Sequence, residues 1–269
     1  MLLSFQTLGI KHENSKYIGD MRTLKIVSII NFTLLLLILV IINRTPSASF
    51  YEISIYEVYP WYFWFLIITT IFIGEMILLK SSLLSEKSNN FWIIGFISIL
   101  LTNIILLFMP FIRGYIIYGR GDVLTHIGSI NDICRVASIG TNNFYPLDHI
   151  LTVSLCYITN IKVEKAVNLI PPLFSIFYMG SVYILSRSIF EEKSEIIFTL
   201  AISSILLFSK NNLIFAPNVQ SFLLFPFILY ILFKSRCSKK TMEFSILLII
   251  IIFCAVFFHP ITTIFLFIT

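Results

Sequence analysis

The sequence predicts an all-α fold, a polytopic transmembrane helix bundle of about seven spans, with an extracytoplasmic loop containing short amphipathic helices. Three observations lead there. Of the 269 residues, 58% are hydrophobic and 12% are charged, about half the roughly 25% charge of a soluble domain. Mean hydropathy is +0.93. The apolar residues are gathered into long runs with Lys and Arg at their edges. So large an apolar surplus cannot be enclosed in one core of this size, because surface grows too quickly relative to volume. The lipid bilayer is therefore the first expected partner, and an integral cell membrane protein is expected.

The spans follow in order, each held against the roughly 20 apolar residues that cross hydrocarbon. The first is 24–42, a nearly uncharged run. Its basic flank and the following Ser47-Ala48-Ser49 resemble a signal peptide, yet the run exceeds the usual apolar region of about 7–15 residues, so an uncleaved anchor is expected. The second, 61–79, opens on Trp61, Tyr62, Phe63 and Trp64, which suit an interfacial aromatic belt. The third, 91–109, stops at Pro110. Four more candidates are 170–185, 196–208, 222–233 and 244–258. The stretch 150–158 is too short to cross and reads as an interfacial or re-entrant helix.

Positive charge orders these spans. Lys11, Lys16, Arg22, Lys25, Lys80, Lys87, Arg187, Lys193, Lys234, Arg236, Lys239 and Lys240 fall on one side, twelve of the 19 Lys and Arg. By the positive-inside rule that side, with the N-terminus, is cytoplasmic. The resulting organisation is a cytoplasmic N-terminal segment 1–23, three spans in 24–109, an extracytoplasmic loop 110–165 and further spans in 166–269. The last residues, 261–269, look like the start of another hydrophobic span, so the chain is expected to be the N-terminal portion of a longer protein.

The same composition excludes several functions. A net charge of +5 sits beside the spans and faces lipid headgroups, so no nucleic acid is expected as a partner. Cys134, Cys156, Cys237 and Cys254 lack zinc-site spacing. A disulfide between Cys134 and Cys156 would require both on the outer side and is not expected. There is no Walker loop and no GxGxxG.

Polar groups concentrate in two outward segments. In Ser49 to Pro60 apolar and polar residues alternate with period two, which reads as a strand; Glu52 and Glu57, five apart, would not share its face. Tyr51, Tyr56 and Tyr59 suit a headgroup boundary. In the larger segment, Val123, Ile127, Ile130 and Cys134 form an i, i+4, i+7, i+11 stripe, predicting an amphipathic helix from Val123 to about Ala137. Asp122, Thr125, His126, Ser129 and Asp132 lie toward its other side, with Asp122 and His126 able to point at one ligand. Gly140 is expected to end the helix, and Asn142-Asn143-Phe144-Tyr145-Pro146 to form a turn. Asp148 opens a short helix beginning at His149. Two readings of the acids stand side by side: Asp122 and Asp148 as helix N-caps bonding free amides, or Asp122 as a functional carboxylate. Arg113 and Arg120 could bind lipid phosphate or a substrate pyrophosphate. His259 lies at the outer end of the last span, where a packing role competes with a functional one.

Gly121-Asp122, Leu124-Thr125-His126, Asp132, Gly140, Tyr145-Pro146 and His149-Ile150-Leu151 together resemble the first outward loop of GT-C superfamily glycosyltransferases. The resemblance covers about thirty residues, and Tyr51 to Trp64 ahead of it resembles archaeal membrane proteins of that broad group. It implies a multispanning enzyme that transfers a sugar from a polyprenyl-phosphate-linked donor on the extracytoplasmic face. It implies Asp122 as the catalytic carboxylate or as a ligand of a divalent metal (Mg or Mn), with His126 and Asp132 in support. Arg113, Arg120 and His259 would neutralise the phosphate leaving group, and Tyr145 and His149 would line the substrate site. The motif follows the third span here, whereas such enzymes usually carry it after the first. A transporter, a lipid-handling protein or an inactive remnant is the competing expectation; it predicts broken helices and ionisable groups at mid-membrane.

Overall fold

The computed structural model describes residues 2–84, 90–119, 121–208, 210–260 and 263–264, with side chains described from Gly19 onward except those of Phe208 and Lys210. The expected further span at 261–269 and the topological marker Lys87 therefore lie largely or wholly outside the described residues. Among the described residues the chain is helical and contains no strand, as the composition predicts. It divides into two compact units, 1–45 with 56–102, and 46–55 with 103–269.

The first unit is built on α1 (Leu2–Arg44), α3 (Trp61–Leu83) and most of α4 (Phe91–Leu107); the one-turn helix α2 (Ile55–Val58) falls at its edge. Helix α1 is continuous, so the segment before the first span is helical as well, and its apolar stretch is Gly19–Arg44. Ile29, Phe32, Phe65, Ile68 and Phe72 are all more than half exposed. In water each would cost about 1.5–3 kcal/mol relative to burial, so these faces belong against lipid. Helices α3 and α4 touch through glycine: a Cβ on Gly74 would sit 2.6 Å from Ile99 Cγ1, and one on Gly95 2.9 Å from Gly74 O. Small residues let helix backbones approach in this way where lipid removes the hydrophobic drive to associate. The buried Asn31 donates Nδ2–H to Ser98 Oγ at 2.8 Å, joining α1 to α4.

The strand expected at Ser49 to Pro60 is not formed. The alternation there belongs to turns and to α2, whose Ile55 is buried while Glu57 is exposed. Tyr59 stacks on Phe63 at 4.3 Å, and Trp64 Nε1–H donates to Tyr56 O at 3.0 Å. Local aromatic packing decides this segment, which short alternation alone cannot resolve.

The second unit contains α5 (Met109–Ile112), α6 (Asp122–Val136), α7 (Pro146–Thr159), α8 (Val163–Ile189), α9 (Lys193–Ile205), α10 (Pro217–Leu223), α11 (Phe225–Cys237) and α12 (Thr241–Phe258), with two short 3-10 turns between α9 and α10. Helix α8 is its axis: α6, α7, α9, α10 and α11 all pack on it. It carries Pro171 and Pro172 in its interior without a break. Pro226 falls in the first turn of α11, where its missing N–H is harmless.

Among the described residues five helices are long and apolar enough to cross a membrane: 19–44, α3, α8, α10 with α11 as one 21-residue stretch, and α12. Helix α4, of 17 residues, is a shorter apolar helix. These helices make the chain an integral membrane protein, with five spans by length against the seven expected. The shortfall beyond α4 lies at 196–208. There α9 has 13 residues, about 20 Å of helix against roughly 30 Å of hydrocarbon. Ser204 Oγ–H donates to Ala201 O at 2.9 Å, and Asn212 Nδ2–H donates to Leu206 O and Leu207 O at 3.0 and 3.2 Å. These side chains take carbonyls that would otherwise continue the α-helical ladder, and the chain turns 3-10. Helix α7, at 14 residues, is likewise too short to cross, as the 150–158 run predicts.

Candidate functional site

The segment leading into α6 is fastened before it reaches any reactive group. The Arg113 side chain, 4% exposed, donates to both carboxylate oxygens of Glu52 and to Pro46 O. Tyr115 O–H also donates to Glu52, and Ala48 N–H donates to Arg113 O at 2.8 Å. Burial acts to raise the Glu52 pKa, but the hydrogen bonds from Arg113 and Tyr115 and the guanidinium charge prevail and hold it below the usual carboxylate range. From α8, Asn168 Nδ2–H donates to Tyr115 O and Ile116 O, and its Oδ1 accepts from Tyr118 N–H at 3.1 Å. Gly119 and Gly121, at φ +109° and +62°, then turn the chain through backbone regions that favour glycine.

Gly121, not Asp122, is the N-cap of α6, and no side chain bonds the cap amides. The helix-cap explanation of Asp122 therefore does not hold: its carboxylate sits exposed in the first turn. The helix spans Asp122–Val136 and closes at Ala137 in the left-handed region, φ 54°, three residues before the Gly140 expected to end it. The local Ala137 N–H to Ile133 O bond at 2.9 Å supplies the C-cap. The predicted stripe is largely inward, with Val123, Ile127 and Ile130 buried, but His126 is buried with them at 8% exposure. Its ring has been drawn in by partners from α7.

Those partners come from the turn that the Asn-rich run predicts. Asn143 Oδ1 accepts from Tyr145 N–H at 3.2 Å and lies 2.8 Å from His149 Nδ1. His149 Nε2 lies 2.9 Å from His126 Nδ1. Phe215 backs both rings, at 5.4 Å from His126 and stacked at 6.3 Å on His149. Tyr145 meets His126 edge-on at 5.6 Å and stacks on His259 at 5.4 Å. Three of the chain's four histidines thus meet in one cluster. Burial lowers the pKa of each: His149 is pushed down to about 4, helped by His126, whereas at His126 the Asp122 charge works the other way.

Asp148 is the residue the sequence understated. Helix α7 starts at Pro146, so Asp148 lies inside its first turn and not at its cap. Its side chain is 0% exposed, and neither carboxylate oxygen has a hydrogen-bond partner among the described residues. Burial pushes its pKa up to about 7.

Of the residues singled out from the sequence, His126, Tyr145, His149 and His259 are brought together, with Asp122 one turn from His126. Asp132 is exposed and about 120° around α6 from His126, so it does not join them. Arg113 is held in the Glu52 clamp, and Arg120 lies outside the described residues. Cys134 and Cys156 are free thiols. Among the described residues no three His, Cys, Asp or Glu side chains converge as metal ligands. Asn143 and Phe215 were not recognisable as site residues: Asn143 carries only a turn signal, and Phe215 is one of 27 phenylalanines.

No family model, no curated protein and no solved structure matches this chain.

Proposed function

We propose that this chain carries the catalytic end of a membrane glycosyltransferase, transferring a sugar from a polyprenyl-phosphate-linked donor at the extracytoplasmic face. The observation that supports the reading most is the meeting of His126, Tyr145, His149 and His259 from separate parts of the chain, with the exposed Asp122 carboxylate one turn away. These are the residues the GT-C resemblance picks out. A buried histidine pair beside an accessible carboxylate suits removal of a proton from an acceptor hydroxyl. With Arg113 committed to Glu52, the phosphate leaving group is left to Arg120 and His259. The apolar surface of α8, α11 and α12 suits a donor whose chain lies in lipid.

The test uses the full chain in nanodiscs with radiolabelled polyprenyl-phosphate mannose or polyprenyl-phosphate glucose and a membrane extract as the source of acceptor hydroxyls, following release of polyprenyl phosphate. Asp122→Asn is expected to lower release about 100-fold or more while the protein stays folded. Release unchanged in a folded Asp122→Asn protein removes the assignment. Membrane-impermeant thiol labelling of Gly140→Cys, in a background without the native cysteines, reports the face; Gly140 is exposed with open space around it. A cytoplasmic address for that thiol also rejects the reading.

A further inference from the structure

The hydrogen-bond chain through Asn143, His149 and His126 has only one consistent direction. Tyr145 N–H can only donate, so the Asn143 side-chain atom facing it at 3.2 Å is the carbonyl oxygen. The same oxygen lies 2.8 Å from His149 Nδ1, so His149 Nδ1 carries the hydrogen. A ring 2% exposed and packed on Phe215 is neutral, so His149 Nε2 is the lone-pair nitrogen. His126 Nδ1, 2.9 Å away, must then be the donor. His126, itself 8% exposed, has its remaining lone pair on Nε2. Both rings are thereby fixed in the Nδ1–H tautomer by one amide oxygen, which is in turn fixed by one backbone N–H.

We propose that His126 Nε2 is the proton acceptor of this site, taking the proton of a substrate hydroxyl, with His149 and Asn143 as positioning residues that hold its tautomer. The proposal rests on the sugar-transfer reading for the identity of the hydroxyl, but not for the geometry. As the acceptor oxygen bonds to the anomeric carbon, the bond from that carbon to the phosphate oxygen breaks. The electron pair leaves on polyprenyl phosphate, and the hydroxyl proton moves to His126 Nε2. The imidazolium so formed keeps its Nδ1–H bond to His149, and the Asp122 carboxylate one turn away, whose charge already favours a protonated His126, stabilises it. Asp122 then acts on the base and not on the substrate. Asn143 serves the two histidines as an orienting amide serves a catalytic histidine in other hydrolytic and transfer sites: it decides which nitrogen is free.

The experiment is nitrogen NMR on the full chain, labelled with 15N-histidine in nanodiscs at neutral pH, with His126→Gln and His149→Gln used for assignment, alongside polyprenyl phosphate release. The expected spectrum shows both rings as Nδ1–H tautomers, the minority form of free histidine. Asn143→Ala should let His149 and His126 mix tautomers and lower kcat about 10-fold or more with KM little changed. Asn143→Asp, which keeps the acceptor oxygen, should restore both. An Nε2–H ring at His126 overturns the proposal while leaving sugar transfer to stand or fall on Asp122. So does full release by a folded His126→Gln protein. A wild-type chain with the expected tautomers that releases no polyprenyl phosphate overturns the sugar reading, and the hydroxyl step with it.

Discussion

Segments 46–52 with 113–118 and segment 143–149 each bury a carboxyl group, and they treat it in opposite ways. Glu52 receives a guanidinium and a phenol and stays ionised, its pKa below the usual range. Asp148 receives no partner among the described residues and is pushed up to about 7. Burial acts on both in the same direction, so the difference is made by partners. Charge-assisted hydrogen bonds outweigh desolvation at Glu52; nothing opposes it at Asp148. The first arrangement is a fastener that fixes how the chain enters α6. The second leaves a proton poised to move near neutral pH, as groups at functional sites often do.

Removing one partner from the fastener should have the largest effect on stability. Arg113→Met leaves the part-buried Glu52 carboxylate with the Tyr115 phenol but no opposite charge, and thermal unfolding in detergent should show a loss of about 3–5 kcal/mol. Glu52→Gln added to it should recover part of that loss; failure to recover would mean that Arg113 acts through Pro46 O alone. Asp148→Asn should move stability the other way, by roughly 1–3 kcal/mol at pH 8. Because the folded pKa lies above the ordinary value of 3.8, the contribution of neutral Asp148 is complete below about pH 3.8. It is lost as pH rises through about 7. Wild-type melting temperature should carry that downward step, and Asp148→Asn should lack it. A step of the same size in both proteins would assign it to another group.

The two regions also differ in how far the sequence disclosed them. The helical membrane character followed from composition, and α6 from the spacing of Val123, Ile127 and Ile130, because a one-sided apolar stripe needs only local periodicity. His126 was placed toward the polar side by that same periodicity. It is buried because His149, 23 residues onward, satisfies its ring, and periodicity carries no knowledge of partners from another helix. The Glu52–Arg113 pair spans 61 residues, and nothing in either neighbourhood announces it, so Arg113 looked available for phosphate. Asp148 was mistaken for a cap since the start of α7 was set three residues late, at His149, although Pro146 marks the first turn as proline commonly does. The shortened α9 was hidden for a related reason: Asn212, which binds the Leu206 and Leu207 carbonyls just past its end, lies beyond the apolar run itself.

Tyr115→Phe gives the smallest change and divides the Glu52 interaction most finely. The substitution keeps the ring, which stacks on Tyr118 at 6.2 Å, and removes one donor while Arg113 remains. Stability at neutral pH should fall by about 1 kcal/mol, well short of the Arg113→Met loss. The Glu52 pKa, held down in part by this phenol, should rise toward its ordinary value. A carboxylate with a depressed folded pKa contributes stability above its unfolded pKa and loses it as pH falls through the folded one. Wild-type protein should therefore lose the Glu52 contribution at lower pH than Tyr115→Phe does, and acid titration of the melting temperature should show the acid limb of the variant displaced upward. If the limb does not move, the guanidinium alone holds Glu52 ionised, and the contrast with Asp148 reduces to the presence or absence of one opposite charge.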